Sequence, residues 1–437
     1  MDKEKYRELK FYISTLGCKV NQAESNAISN YLVTNGAVSS NREEASIIII
    51  NSCAVTVQAG SKSRHELRAL KRENPEALII LMGCYVEQDS IEEEVKETAS
   101  VLIGTKEKAR VYDVIETYLA NEKILIPNNE EVLLQFEELK GFSDGDRTRA
   151  QVKIQDGCEN FCSYCIIPYL RGPERSRTKD SIISEINHLD SLGYKEVVLT
   201  GIHLGSYGRD KGESFFLYDL LIDILAQTDI MRVRLSSLEP NDVNQKIIRL
   251  IKEEDRLLPH LHIPLQSGSD KILSLMNRKY TIEWYRDLIK DIRGAIPEIS
   301  ITTDLIVGFP GETDEDFIDI MENVKEISFS QIHIFRYSQR PNTPAANMKD
   351  QIHGDIAKSR SNQIRSLAKE MGLDYTKQMI GKTYNVLFEQ KLENDIYVGH
   401  ADNYVKVFVN TEQNIENSIR KVKIIKNYPY SVSGVMI

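Results

Sequence analysis

The sequence predicts an α/β protein of three successive parts: a doubly wound parallel sheet, a partial (β/α) barrel and a small C-terminal β barrel. Apolar runs alternate with amphipathic stretches over residues 1–122, and six strand-like runs alternate with helical periods over 148–379. Short β-like runs joined by polar turns fill 380–437. A length of 437 residues suits roughly three domains.

In the first part, the apolar runs at 11–15, 45–52 and 77–83 are separated by amphipathic stretches, a βαβαβ pattern. Cys18, Cys53 and Cys84 follow these runs directly. Because carboxyl ends of parallel strands share one sheet edge, we expect the three cysteines to converge there. The alternative is three small buried apolar side chains at strand ends.

Residues 123–147 are polar and weakly periodic, which predicts a linker with one partly apolar turn. The strand-like runs QVKIQD, KEVVLT, RVRLSS, LHIPLQ, SITTDLIVG and QIHIFRY then predict a full or partial barrel with its functional site at the strand C-termini. A closing helix is predicted at 354–379, ended by Gly381.

Composition excludes several classes of protein. With 55 Lys and Arg against 65 Asp and Glu, the net charge of −10 excludes a generally basic nucleic-acid-coating protein. No apolar run reaches the about 18 to 20 residues of a membrane span, and the N-terminus lacks a signal-peptide core. We therefore expect a cytoplasmic monomer with reduced cysteines and neither a membrane nor a DNA partner.

The most informative motif is DGCENFCSYCIIPYLRG, which places Cys158, Cys162 and Cys165 in a C-x3-C-x2-C run after the first barrel strand. Three thiolates can hold three irons of a [4Fe-4S] cluster and leave the fourth iron without a protein ligand. A structural zinc site would need a fourth ligand, and the motif contains none. This spacing, with Tyr164 before the last cysteine, resembles the radical SAM superfamily.

The resemblance narrows to the methylthiotransferases within that superfamily. STLGCKVNQAESN, NSCAVTVQAGSKSR and MGCYVEQ resemble their amino-terminal domain, and HIPLQSGSDKILSLMNRKYT, TTDLIVGFPGETDEDF and FRYSQRPNTPAA resemble their barrel. The C-terminal β barrel is similar to their TRAM domain. LGCKVNQ, CAVT and IIPYLRGPERSR are most similar to the branch acting on N6-threonylcarbamoyladenosine of tRNA. NSC instead of NTC, and RGPERSR instead of RGRERSR, are small departures that remove no ligand.

This resemblance implies a transferase of sulfur-containing groups with two [4Fe-4S] clusters, held by Cys18, Cys53, Cys84 and by Cys158, Cys162, Cys165. It also implies S-adenosylmethionine (SAM), used both as methyl donor and as radical source. The implied reaction methylthiolates C2 of threonylcarbamoyladenosine at position 37, in the anticodon stem-loop, with electrons from a donor such as a flavodoxin-like reductase. Rival interpretations are a methylthiotransferase of isopentenyladenosine or of a ribosomal-protein aspartate, and a non-catalytic two-cluster electron carrier.

Several polar residues and one glycine at predicted strand ends are candidates for SAM contacts at the barrel mouth. Ordinary loop capping explains each polar residue equally well. GFPGET lacks the Lys-Ser/Thr ending of a phosphate loop and instead predicts a turn with Thr313 as a helix N-cap. The SAM candidates are Tyr164, Gly201, Ser237, Gln266, Thr303 and Asp304.

Two groups of cations are candidates for tRNA binding. Arg64 and Arg68, with Lys71 and Arg72, share one face of the helix after Cys53, where a solvated face is the alternative. Arg171, Arg175, Arg177 and Lys179 follow the cluster loop. Arg175 is the candidate to pair the substrate carboxylate, because a guanidinium matches a carboxylate with two hydrogen bonds. Neutralising Glu174 or a tRNA phosphate is the alternative. Trp284 is expected to pack in its helix.

Overall fold

The computed structural model describes residues 6–7, 9–88, 91–120, 122, 135–139, 141, 148–212 and 215–437. Most of the predicted linker at 123–147, including its partly apolar turn, lies outside these residues. No helix among the described residues is both long enough and apolar enough to cross a membrane.

The first part of the chain forms a parallel sheet with the strand order β2-β1-β3-β4-β5. Its two central strands are buried throughout, which explains their near-continuous apolar sequence. The short edge strands β2 and β5 are additions to the three predicted strands. The elements in chain order are β1 (Lys10–Thr15), α1 (Lys19–Thr34), β2 (Val38–Ser39), β3 (Ile47–Ser52), α2 (Val57–Glu73), β4 (Leu78–Gly83), α3 (Glu93–Thr98), β5 (Val101–Ile103) and α4 (Arg110–Leu119).

The middle part is the predicted partial barrel. Two parallel three-stranded sheets, β10-β9-β6 and β11-β12-β13, are joined by bridges between Val233 and Leu257 and between Ser237 and His262. The elements are β6 (Arg149–Lys153), β7 (Gln155–Asp156), α5 (Ile167–Arg171), β8 (Arg175–Ser176), α6 (Lys179–Ser191), β9 (Glu196–Thr200), α7 (Leu217–Gln227), β10 (Arg232–Leu235), α8 (Gln245–Glu253), β11 (His260–His262), α9 (Asp270–Leu275), α10 (Ile282–Ala295), β12 (Ser300–Val307), α11 (Asp314–Ile327) and β13 (Gln331–Arg336).

The closing helix and the C-terminal barrel also match the prediction. Helix α12 (Gly354–Lys377) is followed by Gly381, whose φ of +83° suits the left-handed position after a helix. The strands that follow close into a barrel in the order β14-β15-β16-β18-β17 around a separate apolar core. They are β14 (Thr383–Lys391), β15 (Ile396–Ala401), β16 (Lys406–Asn410), β17 (Ser418–Tyr428) and β18 (Ser431–Met436).

The C-terminal barrel covers the amino-terminal ends of the larger barrel's strands. The Tyr404 ring, from the β15–β16 turn, lies 4.5 Å from the Arg234 guanidinium and 4.8 Å from the His260 ring. Arg232 Nη2 donates to the carbonyl of Ala401 across 3.1 Å. Loops at the opposite, carboxyl ends of the strands contact the amino-terminal domain through Arg171 to Asn21 and Arg340 to Gln88, and a barrel of this kind carries its functional site at these ends.

Candidate active site

The first cysteine set lies at one edge of the amino-terminal sheet, as expected. Cys18, Cys53 and Cys84 follow β1, β3 and β4. Gly17 has a φ of +102°, and a Cβ at this position would lie 2.7 Å from Cys53 Cβ and 2.8 Å from Cys53 Sγ. The close contact of the β1 loop with Cys53 therefore requires glycine, both for its backbone angle and for its lack of a side chain.

Burial shapes the protonation of this set. It raises the pKa of Cys53 to about 11, and the neighbouring Cys84 and Cys18 add to the increase. Burial also raises the pKa of Cys84, against the charges of Arg171 and Lys108. The Cys53 and Cys84 thiols therefore stay protonated without a strong cationic partner, and iron is such a partner because a coordinating thiol is deprotonated.

The second cysteine set occupies a single loop between β7 and α5. The backbone N–H of Cys158 donates to the carbonyl of Gly172 across 3.2 Å, and that of Cys165 donates to Cys162 across 2.9 Å. Arg278 Nη1 donates to Cys162 Sγ across 3.2 Å. The loop backbone is thus held in place, and a buried guanidinium already faces one of its sulfurs.

A polar cavity of about 130 Å³ opens beside this loop, and Cys162, His203, Glu239 and Arg278 are among its lining residues. The His203 ring lies 2.7 Å from both Glu174 and Asp242. Although burial lowers the pKa of His203, hydrogen bonds to Asp242, Cys158 and Glu174 raise it to about 12. Sequence reasoning missed His203, Glu239 and Arg278, although the first two lie three and four residues after the barrel strands β9 and β10.

The predicted SAM residues divide into two groups. Ser237 is exposed just after β10, and Gln266, with a φ of +66°, is bridged to β12. Asp304 lies within β12 and its carboxylate is 3.3 Å from His262 Nε2. A Cβ on Gly201 would lie 3.0 Å from the Gln155 side chain. Here glycine makes room for Gln155, which supports the cluster loop by donating to Gly157 O.

Thr303 lies in the protein interior, and Tyr164 is half-buried in the cluster loop. Thr303 is fully buried; its hydroxyl donates to the Ile263 carbonyl and accepts from the Leu265 N–H, both across 2.8 Å. Adjacent residues of a strand point to opposite faces, so Asp304, beside His262, points into the barrel and Thr303 points away from it. Tyr164 packs against the apolar cluster that contains Met276 and Phe309.

The arginines after the cluster loop are also internal, contrary to their predicted contact with phosphate or carboxylate. Arg171 has no exposed surface, and Arg175 is 3% exposed. Arg175 Nη1 donates to the carbonyls of Arg171 and Pro173 across 2.9 and 3.0 Å. Arg177 pairs with Glu185 in the interior. These guanidiniums stabilise the cluster loop and its surroundings, and Nη1 of Arg175 is already bonded to backbone carbonyls.

The other candidate cations and the tryptophan lie at the surface. Arg68 Nη2 pairs with Glu94 at 2.6 Å, and Arg64 Nε lies 3.5 Å from Glu92. This pairing fits the alternative of a solvated helix face. Trp284 is 41% exposed and stacks on Tyr280 at a centroid distance of 6.1 Å.

Both cysteine sets fit a [4Fe-4S] cluster by donor chemistry. Each offers three thiols, and no group of three or more His, Cys, Asp or Glu side chains among the described residues is arranged for a single metal ion. Thiolates of such a cluster bind different irons, so they stand farther apart than ligands of one ion. Within the described residues, the buried Nε atoms of Arg171 and Arg340, near the first set, have no hydrogen-bond partner, and cluster sulfurs are suitable acceptors.

The two cysteine sets are connected through Arg171. Its Nη2 donates to Asn21 Oδ1 across 2.8 Å, and Asn21 Oδ1 lies 3.7 Å from Cys18 Sγ. On the other side, Arg171 Nη1 donates to Asp156 across 2.9 Å, two residues before Cys158. One buried side chain therefore fixes the two cysteine edges against each other.

Comparison with known proteins identifies two domain families. Residues 152–324 match the radical SAM superfamily, and residues 10–104 match a family described as uncharacterized protein family UPF0004. The structure of TsrM, a radical S-adenosylmethionine methyltransferase from Kitasatospora setae, has a TM-score of 0.56. At 15% identity, covering 78% of this chain and 77% of TsrM, this likeness shows the fold alone.

Three relatives align along nearly the whole chain. Threonylcarbamoyladenosine tRNA methylthiotransferase MtaB of Bacillus subtilis strain 168 is 37% identical over 426 residues, covering 95% of this chain and 94% of that protein. The MtaB of Thermotoga maritima is 40% identical over 395 residues, covering 90% of each chain. A tRNA-2-methylthio-N(6)-dimethylallyladenosine synthase of Clostridium perfringens is 36% identical over 440 residues, covering 98% of this chain and 97% of that protein.

Proposed function

The chain belongs to the family of radical SAM tRNA methylthiotransferases, and we propose that it methylthiolates C2 of N6-threonylcarbamoyladenosine at position 37 of tRNA. It is a transferase of sulfur-containing groups whose cofactors are two [4Fe-4S] clusters and SAM. The observation that carries the proposal is the connection of two three-thiol edges through Arg171. The names of two relatives favour threonylcarbamoyladenosine as the substrate.

The two cysteine sets have separate proposed roles. Cys158, Cys162 and Cys165 hold the cluster that, when bound, supplies the electron for cleavage of SAM to a 5′-deoxyadenosyl radical. The first set, Cys18, Cys53 and Cys84, holds the second cluster. The cavity at the cluster loop, which Cys162, His203, Glu239 and Arg278 help to line, is the proposed place for part of SAM.

The tRNA backbone is proposed to contact the C-terminal barrel. Arg420, Lys421 and Lys423 are exposed on β17 and form no ion pair with another described residue. Lys391, in contrast, pairs with Asp395 at 2.8 Å. Unpaired lysines and arginines contribute the most to the free energy of phosphate binding. Their binding releases condensed counterions from the RNA and breaks no existing ion pair.

Selection of the threonylcarbamoyl group requires a cation, because its carboxylate would be costly to bury alone. We assign this role to Lys19, since Arg175 is occupied by backbone carbonyls. Lys19 directly follows Cys18 and is exposed, and it forms no ion pair within the described residues. It also lines a cavity of about 340 Å³ with Arg149 and Gln151 of the larger barrel and with Glu389 and Tyr404 of the C-terminal barrel. A cation beside the first cysteine set and facing the barrel can reach a carboxylate on the substrate base.

Nucleoside mass spectrometry tests the proposal. The anaerobically reconstituted protein is incubated with SAM, a reductant and anticodon stem-loops that carry threonylcarbamoyladenosine, isopentenyladenosine or unmodified adenosine. Formation of the 2-methylthio product only on the first RNA supports the proposed substrate. Product on the isopentenyl RNA, or on an aspartate of a ribosomal protein, would assign the chain to another branch of its family.

A further inference from the structure

Two arginines of the barrel reach the first cysteine set and each has an unsatisfied donor. Arg171 and Arg340 are 0% and 5% exposed, and neither Nε has a hydrogen-bond partner among the described residues. A buried N–H without an acceptor is unfavourable, because it loses water and gains nothing in return. Two such groups beside the same three thiols point to an acceptor that is bound there.

Arg171 is held in a single orientation by its other nitrogens. Nη1 donates to Asp156 across 2.9 Å and lies 3.4 Å from Glu24, while Nη2 donates to Asn21 across 2.8 Å. Although burial raises the pKa of Cys84, the Arg171 charge and a hydrogen bond from its side chain lower it. The guanidinium therefore lies beside this thiol, and its Nε–H has no partner among the described residues.

Arg340 approaches from the loop after β13, on the side of Cys53. Its Nη2 donates to Gln88 Oε1 across 2.7 Å, and Gln88 Nε2 donates to the Tyr85 carbonyl across 3.1 Å. Burial lowers the pKa of Arg340, whereas the charge of the Cys53 thiolate would raise it. The Arg340 guanidinium and the Cys53 sulfur are therefore neighbours. The Arg340 backbone is fixed by the Thr343 hydroxyl, which donates to its carbonyl across 2.8 Å.

We propose that Arg171 and Arg340 donate their Nε–H groups to sulfur atoms of the cluster held by Cys18, Cys53 and Cys84, and so raise its reduction potential. The inference rests on the proposed assignment of these cysteines as cluster ligands. Reduction adds negative charge to the cluster, and a nearby guanidinium favours the more negative state. The barrel thereby tunes a cluster that is bound by the amino-terminal domain.

Arg340 is the better position for a test, because it has fewer buried carboxylate partners than Arg171. In the full chain with Cys158, Cys162 and Cys165 replaced by Ala, only the first cluster remains, and its potential is titrated by electron paramagnetic resonance. Arg340→Met should disfavour reduction about ten-fold, a shift of about 59 mV to lower potential for one electron. Arg340→Lys keeps the charge and should give a smaller shift. Arg42→Met, at a surface pair with Glu73, is the control.

A second measurement keeps the proposal testable if Arg340→Met assembles poorly. In electron-nuclear double resonance, the reduced parent protein should show two exchangeable-proton couplings that disappear in D2O, one from each Nε–H. The Arg340→Lys protein should lose the Arg340 coupling and keep that of Arg171. An unchanged potential with an unchanged proton coupling would overturn the role of Arg340. Absence of any cluster from the parent protein would instead overturn the cysteine assignment, so the two failures are distinguishable.

Discussion

Arg171 Nη2 donates to Asn21 Oδ1 across 2.8 Å and thereby joins two residues that are 150 positions apart in the chain. Asn21 in turn donates to the carbonyls of Leu16 and Ser52, next to Cys18 and Cys53. The relative placement of the two cysteine edges therefore depends on one buried guanidinium. The surrounding carboxylates, Glu24 and Asp156, are also buried and depend on the same positive charge.

Arg171→Met should therefore destabilise the protein strongly. Removing one member of a buried ionic network leaves uncompensated charge and costs about 3 to 5 kcal/mol in the free energy of unfolding. Arg68→Met removes an exposed pair with Glu94 and should cost at most about 1 kcal/mol. Urea denaturation of the apo proteins measures both. A similar small loss in both variants would contradict the structural role of Arg171.

The two cysteine sets should each hold their own cluster. The reconstituted protein is expected to contain about eight irons per chain. Replacing Cys158, Cys162 and Cys165 by Ala should leave about four irons and abolish SAM cleavage. Replacing Cys18, Cys53 and Cys84 should also leave about four irons, but with SAM cleavage intact and methylthio transfer abolished.

Iron analysis and chromatography of 5′-deoxyadenosine measure these outcomes. If the second triple variant retained about eight irons, the convergence of Cys18, Cys53 and Cys84 would have no role in cluster binding.

The unpaired cations of β17 should contribute to tRNA affinity in a salt-dependent way. Replacing both Lys421 and Lys423 by Gln should weaken binding and reduce the salt slope by about two, because each lysine neutralises one phosphate. Lys391→Gln is the matched control, because Lys391 already pairs with Asp395. Fluorescence anisotropy at several salt concentrations gives the slopes.

Substitution is a cleaner test than deletion of residues 378–437, because Tyr404 and Ala401 contact the larger barrel and a truncation would expose Arg232 and Arg234. Equal slopes for the double variant and the control would make the C-terminal barrel a structural part of the enzyme.

Glu196 should make stability depend on pH in the acid range. Burial disfavours its charge, but Arg234 and Arg232 outweigh burial and lower its pKa from 4.5 to about 2. A lowered carboxyl pKa in the folded protein stabilises it above pH of about 4.5, and this contribution, about 3 kcal/mol, is lost as the pH falls toward 2. Chemical denaturation of the apo protein between pH 5.5 and 3 measures the slope. Glu196→Gln should be less stable at pH 5.5 and show a shallower slope.

Sequence reasoning located the features that depend on local pattern. Cys18, Cys53 and Cys84 follow apolar runs that form strands of one sheet, and Thr313 is the helix N-cap as expected. Sequence reasoning failed where the interaction partner of a residue lies far away in the sequence. Glu24 and Asn21 lie 147 and 150 positions from Arg171, so nothing near RGPERSR shows that its arginines are buried. The sequence also does not show which face of β12 carries Thr303, because a shift of one residue in strand register moves a side chain to the opposite face.

Lys19→Gln should reduce recognition of the threonylcarbamoyl group specifically. Lys19 is the exposed cation beside Cys18 that also lines the barrel cavity, and a hydrogen bond to a charged group is worth about 1.5 to 3 kcal/mol, ten-fold or more in affinity. Binding of the threonylcarbamoyl stem-loop should weaken by that factor, while the isopentenyl and unmodified stem-loops should bind as before. Lys62→Gln, an exposed lysine on α2, is the control. Arg175→Leu should lower stability without changing the preference among the three RNAs, because its guanidinium serves the backbone. An equal loss for all three RNAs with Lys19→Gln would mean that Lys19 binds a phosphate and not the carboxylate.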